Sequence, residues 1–212
     1  MMIEIVLIGG AIIVGYLLGS IPTAVWIGKY FYQIDVREHG SKNAGATNTF
    51  RVLGKKPGII VLIIDVVKGI IASMFPIIFD NLFEISYAFL ISLRLLSSIF
   101  SMIGHVLPIF AQFKGGKGVA TSLGVLIGLQ PFAALLCFLA FLLIFIISKY
   151  VSLGAIISAM IYPFIVYYVD PKVLFYEMIF TVILSSAVVF THRKNISRLL
   201  KGEENKMNLF KR

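Results

Sequence analysis

Three short stretches hold most of the residues able to do chemistry. Residues 38–51 read EHGSKNAGATNTFR. Their glycines let backbone N–H groups approach an anion, and Ser41, Asn43, Thr47 and Asn48 add donors beside Arg51. Thr47, Asn48 or Thr49 would also cap a short helix whose N-terminus favours negative charge. An ordinary solvated turn uses the same residue types. Residues 113–121 read FKGGKGVAT. Here Lys114, Gly115, Gly116, Lys117 and Gly118 open an apolar helix that contains Thr121. A nest of N–H groups, a helix N-terminus and mobile ammonium groups together suit phosphate. The nucleotide P-loop pattern fails, because position 118 is Gly and position 111 is Ala. A glycine-rich turn with basic residues is the plainer alternative. Residues 191–203 read THRKNISRLLKGE. On a helix, His192 and Asn195 stand at i, i+3 and share a face, where they can hold and polarise a hydroxyl. The competing reading is a basic amphipathic tail lying on anionic lipid.

Other polar residues sit inside apolar runs. Asp65 and Lys68 are again at i, i+3, so they read either as a structural ion pair or as part of a site. Arg94 has no local partner in the sequence and is free to snorkel, face a cavity or meet a distant acid. His105 reads as a helix-end hydrogen-bonder. His39, His105 and His192 lack zinc-type spacing with Cys or Glu, so no metal site is expected. The single cysteine, Cys137, cannot form an internal disulfide. Gly15, Gly19 and Ser20 suit close helix contact.

The elements that must position these residues follow from composition. Of the 212 residues, 59% are hydrophobic and 14% charged, against roughly 25% charged in a soluble domain. Mean hydropathy is +0.97. A soluble fold of this size has too little interior for that much apolar surface. The expected class is an all-α integral membrane protein, one transmembrane catalytic domain over 1–212. A crossing needs about 20 apolar residues, and backbone groups in lipid must be satisfied internally. The spans expected are 3–27, 58–79, 85–104, 119–129, 132–148, 153–169 and 173–190. The first has no basic leader and is too long for a signal-peptide core, so it is read as retained.

Net charge is +9, and in such a chain the excess points to membrane topology and not to nucleic acid. All of the 19 basic residues except Lys68, Arg94 and Lys172 fall in 28–57, 111–118, the turn at Lys149 or the tail from 191. That places these segments on the cytoplasmic side. An even number of spans must then separate them, which makes 119–148 two passes broken at Gln130-Pro131. The outcome is a bundle of about seven transmembrane helices, N-terminus outside and C-terminus cytoplasmic. Val119–Leu129 rises only about 16 Å, so five spans with re-entrant pieces stay open.

The strings GSIPTAVWIGK at 19–29, GSKNAGATNTFRVLGKKPG at 40–58, DVVKG at 65–69, GHVLPIFAQFKGGKGVAT at 104–121 and HRKNISRLLKGEE at 192–204 resemble the bacterial membrane glycerol-3-phosphate acyltransferases that use acyl phosphate. The resemblance implies transfer of a fatty acyl group from acyl phosphate to sn-glycerol 3-phosphate, giving 1-acylglycerol 3-phosphate and phosphate at the start of phospholipid synthesis. It implies seven transmembrane helices in the bacterial inner membrane, a site facing the cytoplasm, no cofactor or metal, and no acyl-enzyme. Ser41 and Arg51 match its essential serine and arginine, beside Asn43, Thr47 and Asn48. Gly115, Gly116, Lys117 and Gly118 match its phosphate loop, with Lys114, Thr121 and Lys68 taken as further phosphate contacts. His192 and Asn195 match its third motif, and Glu203 is read as a structural position. Lys42 stands where the family usually has Gly, and Arg94 interrupts a helix that is normally apolar.

Acyl phosphate is an activated mixed anhydride, so no covalent enzyme intermediate is needed. Two phosphates must be brought together, which accounts for the donors and cations. The proton of the glycerol hydroxyl goes either to His192 or to the departing phosphate. The partners expected are glycerol 3-phosphate, fatty acyl phosphate and membrane lipid, with an acyl-phosphate-producing enzyme supplying the donor and no stable protein partner. An H-x4-D acyltransferase motif is absent, since Ala44, Phe110 and Ser197 follow the three histidines at the fifth position. The D-x-x-D-G-x-x-A-R run of alcohol phosphotransferases is missing too. A phosphate-ester transporter is the rival class, although it would spread polar groups across the bilayer.

Overall fold

A computed structural model describes residues 2–207. Among them every regular element is helical. Lys211 and Arg212 of the basic tail lie outside the described residues. The chain divides into two compact units, Met1–Leu129 and Gln130–Arg212.

The first unit holds α1 (Met2–Gly19), α2 (Thr23–Tyr32), α3 (Ala46–Leu53), α4 (Lys55–Met74), α5 (Ile77–Phe83), α6 (Tyr87–Val106), a 3-10 turn (Ile109–Ala111) and α7 (Val119–Leu129). α1 lies along α6, and α4 along α7. In lipid there is no hydrophobic drive between helices, so close approach has to come from small residues. A Cβ on Gly15 would overlap Ser97, and one on Gly19 would overlap the Ser101 carbonyl. Across the other pair, Gly69 sits on the Thr121 carbonyl and Gly124 on that of Val66. The helix contact expected of Gly15 and Gly19 is therefore made.

Two expected spans are not continuous helices. The first apolar segment, Met2–Tyr32, is broken between Gly19 and Thr23, where Pro22 lacks an N–H and disfavours helix in the residue before it. The segment Lys55–Phe83 breaks at Phe75-Pro76, where Pro76 has no N–H for the helical ladder although Phe75 keeps helical angles.

Arg94 finds its partners at two helix ends. Its Nε donates to the Ser73 carbonyl at 3.0 Å and its Nη2 to the Gly128 carbonyl at 2.6 Å. Both carbonyls belong to last turns, of α4 and α7, which have no intrahelical donor and carry the negative end of the helix dipole.

The second unit holds α8 (Pro131–Ser148), α9 (Val151–Val169), α10 (Phe175–Thr191) and α11 (Arg193–Leu200). α8 lies against α9, and α9 against α10. Pro131 is at the first position of α8, where its missing N–H costs nothing. The helix thus breaks where Gln130-Pro131 was expected to break it.

Among the described residues, five segments can cross a membrane by length and composition: Met2–Tyr32, Lys55–Phe83, Tyr87–Ala111, Pro131–Ser148 and Val151–Val169. Phe175–Thr191 qualifies only together with Arg193–Leu200, across a 58° bend. Val119–Leu129, with 11 residues, is a shorter apolar helix. The protein is a multi-pass membrane protein with five or six crossings by this criterion.

Candidate functional site

In the first unit a buried polar cluster forms at the break in the first span. Lys68 Nζ lies 2.9 Å from Asp65 Oδ1 with both side chains almost fully buried. Lys68 also donates to the Ile21 carbonyl at 3.0 Å. Thr23 Oγ1 donates to the same Asp65 oxygen at 3.1 Å. The i, i+3 pair read from the sequence therefore adds a charged donor at the break in the helix, on a carbonyl that also accepts the Thr23 N–H at 3.0 Å. His105 joins it: its Nδ1 is 3.9 Å from Asp65 Oδ1. A cavity is lined here by Ile21, Pro22, Thr23, Ala44, Asp65, Lys68, His105, Pro108, Gly115 and Gly116. Of the residues singled out in the sequence, Asp65, Lys68, His105, Gly115 and Gly116 share this cavity.

The glycine loop is built differently from the expectation. Gly116 N–H donates to the His105 carbonyl at 3.0 Å, Gly115 N–H to Val106 at 3.2 Å and Lys114 N–H to Ala111 at 3.2 Å. The nest expected at 114–116 is thus spent on the end of α6 and the turn after it. These glycines are needed for closeness: a Cβ on Gly115 would collide with the His105 carbonyl, and one on Gly116 with His105 Nε2. The loop's orphan donors begin with the first turn of α7. Gly118, at φ +82°, starts that helix, its carbonyl accepting the Ser122 N–H at 2.7 Å. Lys114 is exposed and Lys117 half-buried. Thr121 is fully buried, and its hydroxyl has no partner among the described residues.

The 38–51 stretch is held by one side chain. Asn48 accepts the Ser41 N–H at 2.8 Å and donates to the carbonyls of Val36 at 2.7 Å and His39 at 3.1 Å. Its amide group is committed to the loop's own backbone. A Cβ on Gly40, at φ +59°, would strike Asn48 Oδ1. α3 starts at Ala46 with Gly45 at its cap and no side-chain cap, so Thr47, Asn48 and Thr49 lie inside the helix and do not cap it. Ser41, Asn43 and Thr47 are half-buried, and Arg51 is exposed in the last turn of α3. Lys42 takes φ +56°.

Sequence reasoning missed the anchor of this loop. Arg37 grips Asp35, with Nη2 to Oδ2 at 2.7 Å, and its Nη1 donates to the Ala111 carbonyl at 2.9 Å. The hydrogen bond from Arg37 holds the Asp35 carboxyl well below the usual carboxylate range, and the carboxylate raises Arg37 in turn. Lys29 completes the cluster at 3.2 Å from Asp35. The 33–45 and 107–118 loops are thereby fastened at one end of the unit.

In the second unit His192 sits at the bend between α10 and α11. His192 and Asn195 are both nearly fully buried. His192 Nδ1 is 2.8 Å from the Val188 carbonyl. A carbonyl can only accept, so in the neutral ring the proton is on Nδ1 and Nε2 is the acceptor nitrogen. Asn195 donates to Glu204 Oε1 at 2.7 Å, Ser152 to the same oxygen at 2.8 Å, and Arg198 Nε to Oε2 at 2.7 Å. Burial pushes the Glu204 carboxyl up, but the hydrogen bonds from Arg198, Asn195 and Ser152 outweigh it and hold it below its ordinary value. The structural carboxylate is therefore Glu204 and not the exposed Glu203. Two residues after Gly202, Glu204 is the one aligned to fold back. The same tail donates Met207 N–H to the Lys149 carbonyl at 2.9 Å, which puts the Lys149 turn and the tail at one end of this unit. Among the described residues no three His, Cys, Asp or Glu side chains gather as a metal-binding group.

Against this geometry the comparisons with known proteins agree with one another. The family model for glycerol-3-phosphate acyltransferase matches residues 9–202. Glycerol-3-phosphate acyltransferases of Chlorobaculum tepidum and Fusobacterium nucleatum are 40% and 43% identical to the chain. The first alignment covers 93% of this chain and 95% of its relative, and the second 92% and 95%. The crystal structure of PlsY (YgiH), an integral membrane glycerol 3-phosphate acyltransferase, is similar in its glycerol 3-phosphate form with a TM-score of 0.84 and 36% identity, over 96% of this chain and 99% of that one. Its lysophosphatidic acid form gives 0.80 and 35%, over 95% of each.

Proposed function

Since the chain belongs to the glycerol-3-phosphate acyltransferase family, we propose that it moves a fatty acyl group from acyl phosphate to sn-glycerol 3-phosphate. The products are 1-acylglycerol 3-phosphate and phosphate. The observation that carries this reading is the pair of related structures in a glycerol 3-phosphate form and a lysophosphatidic acid form, one the acceptor and the other the acylated product.

In the reaction, the glycerol hydroxyl oxygen attacks the acyl carbonyl, the bond from that carbon to the phosphate oxygen breaks, and the hydroxyl proton ends on the departing phosphate. Arg51, with Ser41, Asn43 and Thr47, grips one phosphate, in the bidentate manner suited to a guanidinium. The loop of Lys114, Gly115, Gly116, Lys117 and Gly118 holds the other through its lysine ammonium groups and the N–H groups of the first turn of α7, with Lys68 and Thr121 beside it. Asn48 serves the same site by shaping the loop that carries Ser41. His192, through Nε2, and Asn195 orient the glycerol hydroxyl. The tautomer set by Val188 supports this role, and we favour the phosphate itself as final proton acceptor. The chain works as one catalytic domain over 1–212, without cofactor.

We further place it in the bacterial inner membrane with seven crossings, counting α7 and α10, the N-terminus outside and these loops in the cytoplasm. The concentration of basic residues in 28–57, 111–118, Lys149 and the tail supports that orientation. An acyl-phosphate-producing enzyme supplies the donor, with no stable protein partner.

Purified protein incubated with palmitoyl phosphate and labelled glycerol 3-phosphate should form labelled lysophosphatidate. Uptake of label into vesicles with no such product would instead indicate a transporter. The pH–rate profile of His192→Ala separates the two proton acceptors: a modest loss with an unchanged shape removes His192 as the base.

A further inference from the structure

His105 stands between the buried ion pair and the glycine loop, and nothing in the reaction scheme above uses it. On one side its Nδ1 faces Asp65 Oδ1 at 3.9 Å, an oxygen already fixed by Lys68 at 2.9 Å and Thr23 at 3.1 Å. On the other side its ring is covered so closely by Gly116 that no side chain fits there. Its carbonyl accepts the Gly116 N–H at 3.0 Å. The side chain is buried, at 6% exposure, yet the residue borders the cavity shared by Lys68, Gly115 and Gly116. A glycine run would be floppy by itself, because glycine loses more backbone freedom on ordering than any other residue. Here two of its N–H groups are fastened to α6, and at Gly116 the surface it meets on α6 is this ring.

We propose that His105 is a positioning residue. Its imidazole, filling the space between Gly116 and Asp65, sets the distance between the glycine loop and α4, and so fixes where the loop's remaining donors and Lys117 present themselves to a phosphate. This rests on the reading that the loop binds phosphate. Asp65 and Lys68 then act on substrate through His105 as well as through the cavity wall. A positioned loop holds a phosphate equally in ground and transition states, so its loss appears mainly in KM.

The test uses the full-length protein in detergent or nanodiscs and the variants His105→Ala, Gly116→Ala and the two combined. His105→Ala should raise KM for glycerol 3-phosphate or acyl phosphate by about tenfold or more while kcat stays within about threefold. Gly116→Ala should be at least as impaired, because its Cβ has the ring in its way. The combined variant should recover a large part of the loss of Gly116→Ala, since removing the ring makes room for the added methyl. A merely structural role for His105 predicts the opposite, that the two lesions add. Hydrogen exchange at 113–119 supplies a readout independent of turnover: protection should fall in each single variant and return in the combined one. Unchanged KM in His105→Ala, or a combined variant no better than Gly116→Ala in both exchange and KM, overturns the proposal. If Gly116→Ala yields no folded protein, recovery of folded protein in the combined variant is read in its place, and its absence is equally fatal. Failure of the wild type to make lysophosphatidate would sink the acyl-transfer reading alone, and exchange would still decide the role of His105.

Discussion

The two units fasten their polar groups by opposite means. In the first, Asp65 and Lys68 form an ion pair within a membrane-spanning helix, reached only by neighbouring helices and a loop. In the second, a carboxylate from the tail, Glu204, folds back and collects Asn195, Ser152 and Arg198. The first arrangement is expensive to build and expensive to leave half-built, because neither charge can be hydrated if the other is lost. The second is buried too, but its Arg198 side chain is 34% exposed, so one of its three donors meets water if the carboxylate is lost. The contrast predicts that exposure of the groups left behind, more than the number of hydrogen bonds, sets the penalty.

The largest effect should come from breaking the deep pair. Lys68→Met leaves Asp65 buried with only Thr23 as donor, and should cost about 3–5 kcal/mol. Asp65→Leu combined with Lys68→Met should recover most of that stability, since an apolar pair of similar size needs no hydration, though it should not restore substrate affinity. Thermal unfolding of the purified variants checks the first claim and KM the second. Equal destabilisation in single and combined variants would erase the contrast drawn between the units.

The tail staple should be weaker. Glu204→Ala strands three donors and should cost about 3 kcal/mol, with a loss of turnover as Asn195 loosens, whereas Glu203→Ala should be silent in both. The pH dependence has a fixed sign. The Glu204 carboxyl is depressed in the folded protein, so its contribution is complete above the ordinary glutamate pKa and disappears as pH falls through the lowered value. Acid should therefore unfasten the tail in the wild type and make no further difference to Glu204→Ala. Hydrogen exchange of residues 192–207 against pH measures it.

How much of this was legible in the sequence depended on how local each contact was. Asp65 with Lys68 is an i, i+3 pair inside one helix, and helical geometry alone brings the two together. The break before α8 was legible from Pro131. The Gly15 and Gly19 contacts were legible because small residues in lipid have few other uses. The contact of His105 with Asp65 joins residues 40 apart in the chain, and no periodicity encodes it. Arg37 reaching Ala111 escaped for the same reason. In the glycine loop, composition announces the glycines but does not distinguish those that offer N–H groups to a ligand from those that make room for a neighbouring ring. The first span was drawn as continuous because Ser20-Ile21-Pro22 is short and apolar on both sides. Glu203 was chosen over Glu204 because a one-residue shift beside a glycine has no sequence signature.

Arg94 tests whether the first unit's dependence on buried cations extends beyond the cavity. Arg94→Leu restores an apolar helix but leaves the Ser73 and Gly128 carbonyls without these donors. The expected cost is about 2 kcal/mol, the range for stranding buried acceptors. Because α7 is short and its end is tied here, exchange should rise first at 124–129. A more stable Arg94→Leu protein would mean that the two carbonyls find other donors, and that Asp65–Lys68 is the only costly charge arrangement in this unit.

The smallest effect concerns the loop that carries Ser41, and it runs in the stabilising direction. Lys42 holds φ +56°, a region that costs a side-chain-bearing residue roughly 1–2 kcal/mol. Glycine would adopt it freely, at some expense in unfolded-chain entropy. Lys42→Gly should therefore raise stability by about 0.5–1 kcal/mol. Lys42→Ala removes the same charge while keeping the strain, so it should not stabilise. If the ammonium group assists a phosphate, both variants raise KM equally, and if it does not, neither does. Equal stability of the Gly and Ala variants would show that the backbone at 42 is not strained, and that the residue differs from the usual glycine for its charge alone.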